Sequence, residues 1–347
     1  MGPGYLQGAH LNHMNLATVS AALDWLRTPP FELWGVSFPL MDLIGAFRLS
    51  IVLRQIKKLK GGGSSNVDTQ VSPWITVLIL FGGEAIMCSQ LSLTPSFLTY
   101  PNITLLFTGV QVLVNEVLLE PPPFRFSVEL PLAVFDAFGR ALLLCDFAPS
   151  LIAKHPDPIV ANSPLALLVT SAILTNGGFF FVNLLNMLDP SGWKVDRTPP
   201  EVLPWGWTAV DLWTAPVITA LWASLIHWRS SQDQPFWADI HSGYLNWGTS
   251  KQSDEKSVAL KAWTHSDARS LCIVILVTLF VLRTWWNMGP LPSFKAKKSL
   301  PSSPVPVPVK PSSSVTSIEL TELPNTPASI RKRQNKQTRG KSVTQAE

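Results

Sequence analysis

Charged side chains are scarce in this sequence. Only 14% of its 347 residues are Asp, Glu, Lys or Arg, against about 25% in an ordinary soluble domain. That shortage excludes a water-exposed surface of ordinary size. Cysteine is scarcer still. Cys88, Cys145 and Cys272 each sit inside an apolar run, and their spacing gives neither a disulfide framework nor a zinc site. They read as small buried hydrophobes. The six His residues form no metal-ligand spacing. No G-x-S-x-G, H-E-x-x-H or phosphate-binding loop occurs, and Gly61-Gly62-Gly63 lacks the Lys-Ser/Thr that would make it one. These absences argue against an enzyme, a metal or a resident cofactor, and no nucleic-acid partner is expected. The first thirty residues lack a basic segment followed by a long apolar core, so no cleavable signal is expected. Pro3 and Leu6 depart from the myristoylation pattern.

What the chain has in quantity is apolar surface. Hydrophobic residues make up 46%, and the mean hydropathy is +0.22. Trp (14) and Pro (30) are both abundant. Trp collects at membrane interfaces, and Pro is tolerated in membrane helices. A spanning helix needs about 20 mostly apolar residues. Seven such runs are present, near 36–54, 74–93, 102–119, 128–148, 164–188, 210–228 and 268–288. The expected fold is therefore an all-α integral membrane protein of seven transmembrane helices. Residues 1–30 would precede a membrane domain at 31–289.

The net charge of +4 is concentrated at one end. Residues 291–347 hold ten Lys/Arg and three acids, which leaves 17 basic and 20 acidic residues in the body. From residue 290 onward the sequence is rich in Pro, Ser, Thr, Lys and Arg, a composition that cannot offset its ordering entropy. It reads as a disordered basic tail, 290–347. Arg54, Lys57, Lys58 and Lys60 follow the first run, while 93–101 carries no charge. The excess of basic residues in the first loop places it in the cytosol. Seven spans then put the N-terminus on the lumenal side and the tail in the cytosol. The loop at 229–267 holds four Lys/Arg and five acids on the predicted outer side.

Two stretches echo one another. Pro39 and Pro131 are each followed nine residues later by Arg (Arg48, Arg140), with Asp42 or Asp136 between, at an offset of 92. Gly82-Gly83 and Gly177-Gly178 are each followed after twelve residues by Pro (Pro95, Pro190), at an offset of 95. Each copy would hold three helices, and an odd number inverts the second copy in the membrane. The prediction is two inverted three-helix repeats plus a seventh helix. Glycine pairs inside helices favour kinks that line a pathway. The alternative is close helix packing through small residues. Charges at membrane depth mark a cavity or a partner. They are Asp42, Arg48, Glu84, Glu116, Asp136, Arg140 and Asp146. Asp136 and Arg140 are spaced to pair on one helix. Asn176 and Asn183 lie within about 20° of one another around a helix, with Asn186 about 60° further. Gly82, Gly83, Gly177 and Gly178 are thus candidate pore kinks. Glu84, Asn176, Asn183 and Asn186 are candidate polar lining.

The order of these features resembles the trimeric intracellular cation channel family over most of 22–288. Phe38-Pro39-Leu40-Met41-Asp42 with Ser50 is similar to that family's first helix, F-P-x-x-D with a following Ser. Phe81-Gly82-Gly83 with Pro95 resembles its C-F-G-S/G segment and lumenal turn. Asn176-Gly177-Gly178, Asn183 and Trp193-Lys194 resemble its Gly-rich fifth helix and the W-K beyond. Thr214-Ala215-Pro216 resembles its sixth-helix S-F-P segment, although the following Lys is Ile218 here. The family's K-E-V-x-R, linked to phosphoinositide and gating, is represented by Asp136-Ala137-Phe138-Gly139-Arg140, which shares Arg140 alone. Asp136 and Arg140 are therefore the gating or lipid candidates. The resemblance implies a homotrimer in the endoplasmic reticulum or another endomembrane. It would pass monovalent cations, potassium-type, as counter-ion flux, with phosphoinositide as the one conceivable bound lipid. An inverted-repeat solute transporter and a non-conducting seven-helix scaffold are the alternatives.

Overall fold

The computed structural model describes residues 13–33, 36–62, 68–195, 198–203, 209–230, 235–246 and 261–288. The predicted disordered tail at 290–347 lies outside the described residues, as do residues 1–12. The described chain is mostly helical, as expected of an all-α membrane protein. In chain order the helices are α1 (His13–Arg27), α2 (Leu40–Lys60), α3 (Pro73–Gln90), α4 (Ser96–Thr99), α5 (Pro101–Val117) and α6 (Phe126–Leu142). They continue with α7 (Ala148–Ala153), α8 (Pro158–Ala161), α9 (Pro164–Leu184), α10 (Ala209–Leu225), α11 (Phe236–Asn246) and α12 (His265–Met288). Of these, α4 and α8 are single turns. A helix occupies each of the seven apolar ranges. Three of them, α3, α9 and α12, are long and apolar enough to cross a membrane, and Val210–Leu225 is apolar but shorter.

Local chemistry sets the helix ends. Pro opens α3, α5 and α9 at the first turn, where its missing N–H costs nothing. The Ser163 hydroxyl accepts from the Ala166 N–H at 3.2 Å and caps α9. Lys57, Lys58 and Lys60 lie in the last turn of α2, where cations complement the helix dipole. Gly62 follows at φ +78°, a conformation that favours glycine.

Two expectations are corrected here. The first apolar range does not start as helix. Phe31–Leu33 and Val36–Phe38 pair as an antiparallel hairpin, β1–β2, and Pro39 holds extended backbone (φ −56°, ψ 141°) before α2 begins. A residue before proline is pushed out of the helical region. A short hairpin thus interrupts an otherwise helical chain among the described residues. The fourth range runs further than expected, because α6 passes through a π-turn at Leu143–Phe147 into α7. The N-terminal segment also carries more structure than hydropathy registers. In α1, Leu16, Leu23 and Leu26 are buried, and Ser20 shares a 2.8 Å hydrogen bond with Ser266 at the start of α12.

Helix association inside a bilayer gains little from the hydrophobic effect and depends on close packing. Two seams show this. Ala133, Ala137, Ala141 and Cys145 recur every fourth residue from α6 into the π-turn, all buried, and α12 packs onto that flat face with Cys272, Leu276 and Phe280. The second seam is the crossing of α3 and α9. An added Cβ on Gly82 would sit 3.1 Å from the Gly178 Cα, and one on Gly177 would sit 2.9 Å from the Gly83 Cα. A Cβ on Gly83 would strike the Ile173 and Leu174 backbone, and one on Gly178 the Ile79 backbone. α3 and α9 are continuous helix through the glycines predicted to kink them. At these positions the two backbones touch.

Tertiary contacts sort the helix ends into two sets. At one end Lys60 donates to Asn186 at 2.7 Å, the Gln55 amide donates to the Pro122 carbonyl at 2.9 Å, Asn115 donates to the Val71 carbonyl at 2.8 Å, and Phe126 meets Trp285 edge-on. This set holds the ends of α2, α5, α9 and α12 and the starts of α3 and α6. At the other end Arg269 donates to Asp146 at 2.8 Å, and Arg229 donates to the Ala161 carbonyl at 3.1 Å. There α11 packs on α10 through the buried Trp237, and His227 Nε2 lies 2.9 Å from His241 Nδ1.

Alanine at Gly83 or Gly178 is expected to destabilise the protein by about 1–3 kcal/mol, because overpacking must push the two backbones apart. Alanine at Gly109, where a Cβ meets nothing, or at Gly139, where it meets only Met41 at 3.8 Å, is expected to be neutral. Thermal unfolding in detergent measures the difference. A second expectation concerns His241. Burial, then the neighbouring His227, hold its imidazole below the usual 6.5. An opened α10–α11 junction therefore binds more protons as pH falls below 6.5, so its stability is full above that value and declines beneath it. Hydrogen-exchange protection factors in α11, which remove the intrinsic pH dependence of amide exchange, should fall from about pH 7 to about 5.5, and His241→Gln should flatten that dependence.

Candidate functional site

Residues on α2 define the site. Met41, Gly45, Arg48, Val52, Ile56 and Lys60 recur at three- and four-residue steps, and all line one cavity of about 420 Å³. From Met41 to Lys60 that face runs roughly 28 Å at 1.5 Å per residue. A bilayer core is about 30 Å thick. α6, α9, α10 and α12 supply the remaining wall, joined by Glu201 from the segment before α10. The volume has room for roughly a dozen waters, at about 30 Å³ each.

Five charges meet along this cavity. Arg48 Nη1 lies 2.9 Å from Asp136 Oδ1. Arg283 Nη1 lies 2.6 Å from Asp211 Oδ1, and its Nη2 lies 4.0 Å from Asp136 Oδ2. Arg140 reaches both acids at longer range, with Nε 4.0 Å from Asp136 and Nη2 3.9 Å from Asp211. Three guanidiniums from three helices thus surround two carboxylates, with four helices contributing in all. Charges in an apolar setting persist only when paired. The pairing here is incomplete, because Arg48 Nε and Arg140 Nη1 are buried without a hydrogen-bond partner among the described residues. Glu201 Oε2 is in the same condition.

The asparagines predicted as lining do line the cavity. Asn176 donates to the Ala172 carbonyl at 2.9 Å and to the Asp211 carbonyl at 3.3 Å. Asn183 donates to Glu201 Oε1 at 2.7 Å. Asn186 holds φ +48° in the turn after α9, accepting from Lys60 and donating to Asp189 at 2.9 Å. Asp189, at that end of the molecule, is pulled down to about 2, chiefly by the Ser191 hydroxyl and N–H.

Other candidates are placed elsewhere. Gly82, Gly83, Gly177 and Gly178 are in the α3–α9 crossing and do not line the cavity. Glu84 accepts from the Ser96 N–H and, at 2.9 Å, from the Ser96 hydroxyl. It ties α3 to α4 and is not part of the cavity wall. Asp136 and Arg140 form the expected pair only at 4.0 Å, and the nearer partner of Asp136 is Arg48. Asp146 finds Arg269 and, at 3.1 Å, His265. Sequence reasoning does not reach Asp211, Glu201 or Arg283. For Asp211 and Arg283 the signal is a charge inside an apolar run, the same signal that marks Asp136. Among the described residues no group of three metal-ligating side chains occurs.

The chain matches no protein-family model, no curated protein and no solved structure. The site must therefore be read from its own geometry.

The Arg48–Asp136 contact can be isolated by a double-mutant cycle. Breaking a buried ion pair costs about 3–5 kcal/mol. Here both side chains keep some exposure (18% and 25%), so Asp136→Asn is expected to cost roughly 1–3 kcal/mol. Arg48→Gln combined with Asp136→Asn should cost less than the two single changes added together. Strict additivity in detergent unfolding would show that the two side chains are not coupled.

Proposed function

We propose that this chain is a membrane channel that passes monovalent cations, potassium-type, across an intracellular membrane. The observation that carries the reading is the continuous cavity along one face of α2, about as long as a bilayer core is thick, with paired charges midway down. Ionisable groups in such a setting are characteristic of ion pathways, and polar or acidic side chains can set selectivity. The proposed architecture is seven spans arranged as two inverted three-helix repeats with α12 added. The α3–α9 crossing supports this, because exchanging the helices at an offset of 95 turns Gly83 against Leu174 into Gly178 against Ile79. Arg48 and Arg140, offset by 92, both border the cavity. α12 breaks the symmetry by packing on α6 where α2 packs on α5.

The proposed orientation puts the end bearing Lys57, Lys58, Lys60 and Arg125 in the cytosol and the N-terminus in the lumen. Assembly as a homotrimer, residence in the endoplasmic reticulum and a counter-ion role follow from the family resemblance. So does a phosphoinositide at Arg140, and the cationic excess of the cavity is compatible with that lipid. A second reading is an inverted-repeat solute transporter. It is favoured by the unpartnered Arg48, Arg140 and Glu201 atoms, which could hold a polar solute.

Recording purified full-length protein in planar bilayers under potassium and sodium gradients distinguishes the two. The channel reading expects discrete unitary currents whose reversal potential follows the cation gradient. Small, saturable currents without unitary steps, or reversal at the anion potential, would exclude a cation channel.

A further inference from the structure

The charges in the cavity do not balance. Arg48, Arg140 and Arg283 face Asp136 and Asp211, an excess of one positive charge. Arg48 and Arg140 occupy equivalent places in the two echoing stretches, on α2 and α6. Arg283 comes from α12, which has no counterpart in the repeat. Lys60 and Glu201 also line the cavity and offset one another, so without Arg283 it would hold three cations and three carboxylates.

The geometry around Arg283 is that of an occupied cation site. Its guanidinium contacts Asp211 at 2.6 Å and faces Asp136 at 4.0 Å, so one cation bridges carboxylates from α10 and α6. It also lies over the Phe280 ring, 4.6 Å from the centroid, a cation–π contact within its own helix. Its side chain keeps 12% exposure, and α12 ends five residues later at Met288. The charge sits near the helix terminus, where a modest movement of α12 can withdraw it.

Resting on the channel reading above, we propose that Arg283 is a tethered blocking cation. Its guanidinium holds the position between Asp136 and Asp211 that a permeant cation must take, and conduction requires it to leave. While it is in place, an entering cation meets a net positive cavity with both acids engaged. Once it is withdrawn, the two acids offer a cation site and the remaining charges cancel. Arg283 therefore regulates access and sets preference for cations over anions. It is not needed to build the pathway.

The test uses full-length protein in potassium-loaded liposomes and planar bilayers, with monodispersity and thermal midpoint measured for each variant. Arg283→Gln is expected to raise potassium flux on the order of tenfold, within the range of ordinary coupling between sites, and to shift the reversal potential toward the cation limit. Arg283→Lys keeps the charge and should stay close to the parent protein. Arg283→Cys should resemble the Gln variant. Reaction with a thiosulfonate carrying an ethylammonium group should block it again, and a neutral reagent of similar size should not. Cys88, Cys145 and Cys272 are buried, and the unsubstituted protein serves as the reagent control.

Flux through Arg283→Gln equal to that of a conducting parent would overturn the proposal and leave the channel reading standing. Equal block by the cationic and neutral reagents would also overturn it, since bulk and not charge would then be responsible. If neither the parent nor any variant conducts, the channel reading itself fails and this inference falls with it.

Discussion

The contact of α3 with α9 is the constraint on which the remaining packing depends. Four glycines remove the side chains that normally separate two helices, and the backbones meet directly. In an apolar solvent close approach is the main source of helix affinity, since burying a Leu against another Leu gains little over burying it in lipid. Neighbouring elements are fixed relative to this seam. α5 is fastened to α3 by the chain of Thr76, Gln111, Asn115 and Val71, and α10 to α9 by Asn176 donating to the Asp211 carbonyl. Asp211 therefore owes its place beside the cavity to the glycine crossing, although no glycine of that crossing touches it.

A second seam of different chemistry positions the other wall. Small residues at every fourth place on α6 bring α12 close, and that places Arg283 within reach of acids on α6 and α10. The π-turn at Leu143–Phe147 lets one continuous helical run serve two ends. Before it, α6 presents Asp136 and Arg140 to the cavity. Within it, Asp146 faces Arg269 and His265. Helices containing such a turn commonly carry function there. The cost of holding five charges in an apolar setting is offset pairwise, and the offset is incomplete, as the unpartnered Arg48 and Arg140 atoms show.

Much of the helix layout was legible in the sequence, because Pro, Gly and charge punctuate each apolar run and those residues act locally. Pro73, Pro101 and Pro164 begin helices where such punctuation predicts. The β1–β2 hairpin was not legible, since three-residue strands leave no periodicity to read. The glycine pairs were visible as pairs, but their role was not. A glycine that bends a helix and one that admits a neighbouring backbone look alike until the partner helix is known. Asp136 with Arg140 illustrates the same limit. Their spacing licenses a local pair, yet the closest cation to Asp136 is Arg48, which belongs to α2 and not to α6. Spacing along one helix says nothing about which side chains a different helix delivers. Asp211 and Arg283 carry the same signal as Asp136, a charge inside an apolar run, but nothing local pairs either of them with a partner on another helix.

In the proposed repeat architecture α12 has no counterpart, and its Arg283 adds the charge that leaves the cavity positive. In that proposed architecture a strict two-fold arrangement would repeat each charge at the like position of the other half. Arg48 and Arg140 satisfy that pattern, but the acids do not, because Asp136 and Asp211 both come from the second half. Such a clustering of acid would leave one side of the cavity negative and the other positive. Arg283 is placed against the acidic side, facing both carboxylates from a helix that neither half contains. The asymmetry of the acids and the added helix thus belong to a single arrangement. On the proposed reading, α12 can move without separating α3 from α9, so the charge state of the cavity would change while the glycine seam between those two helices stays intact.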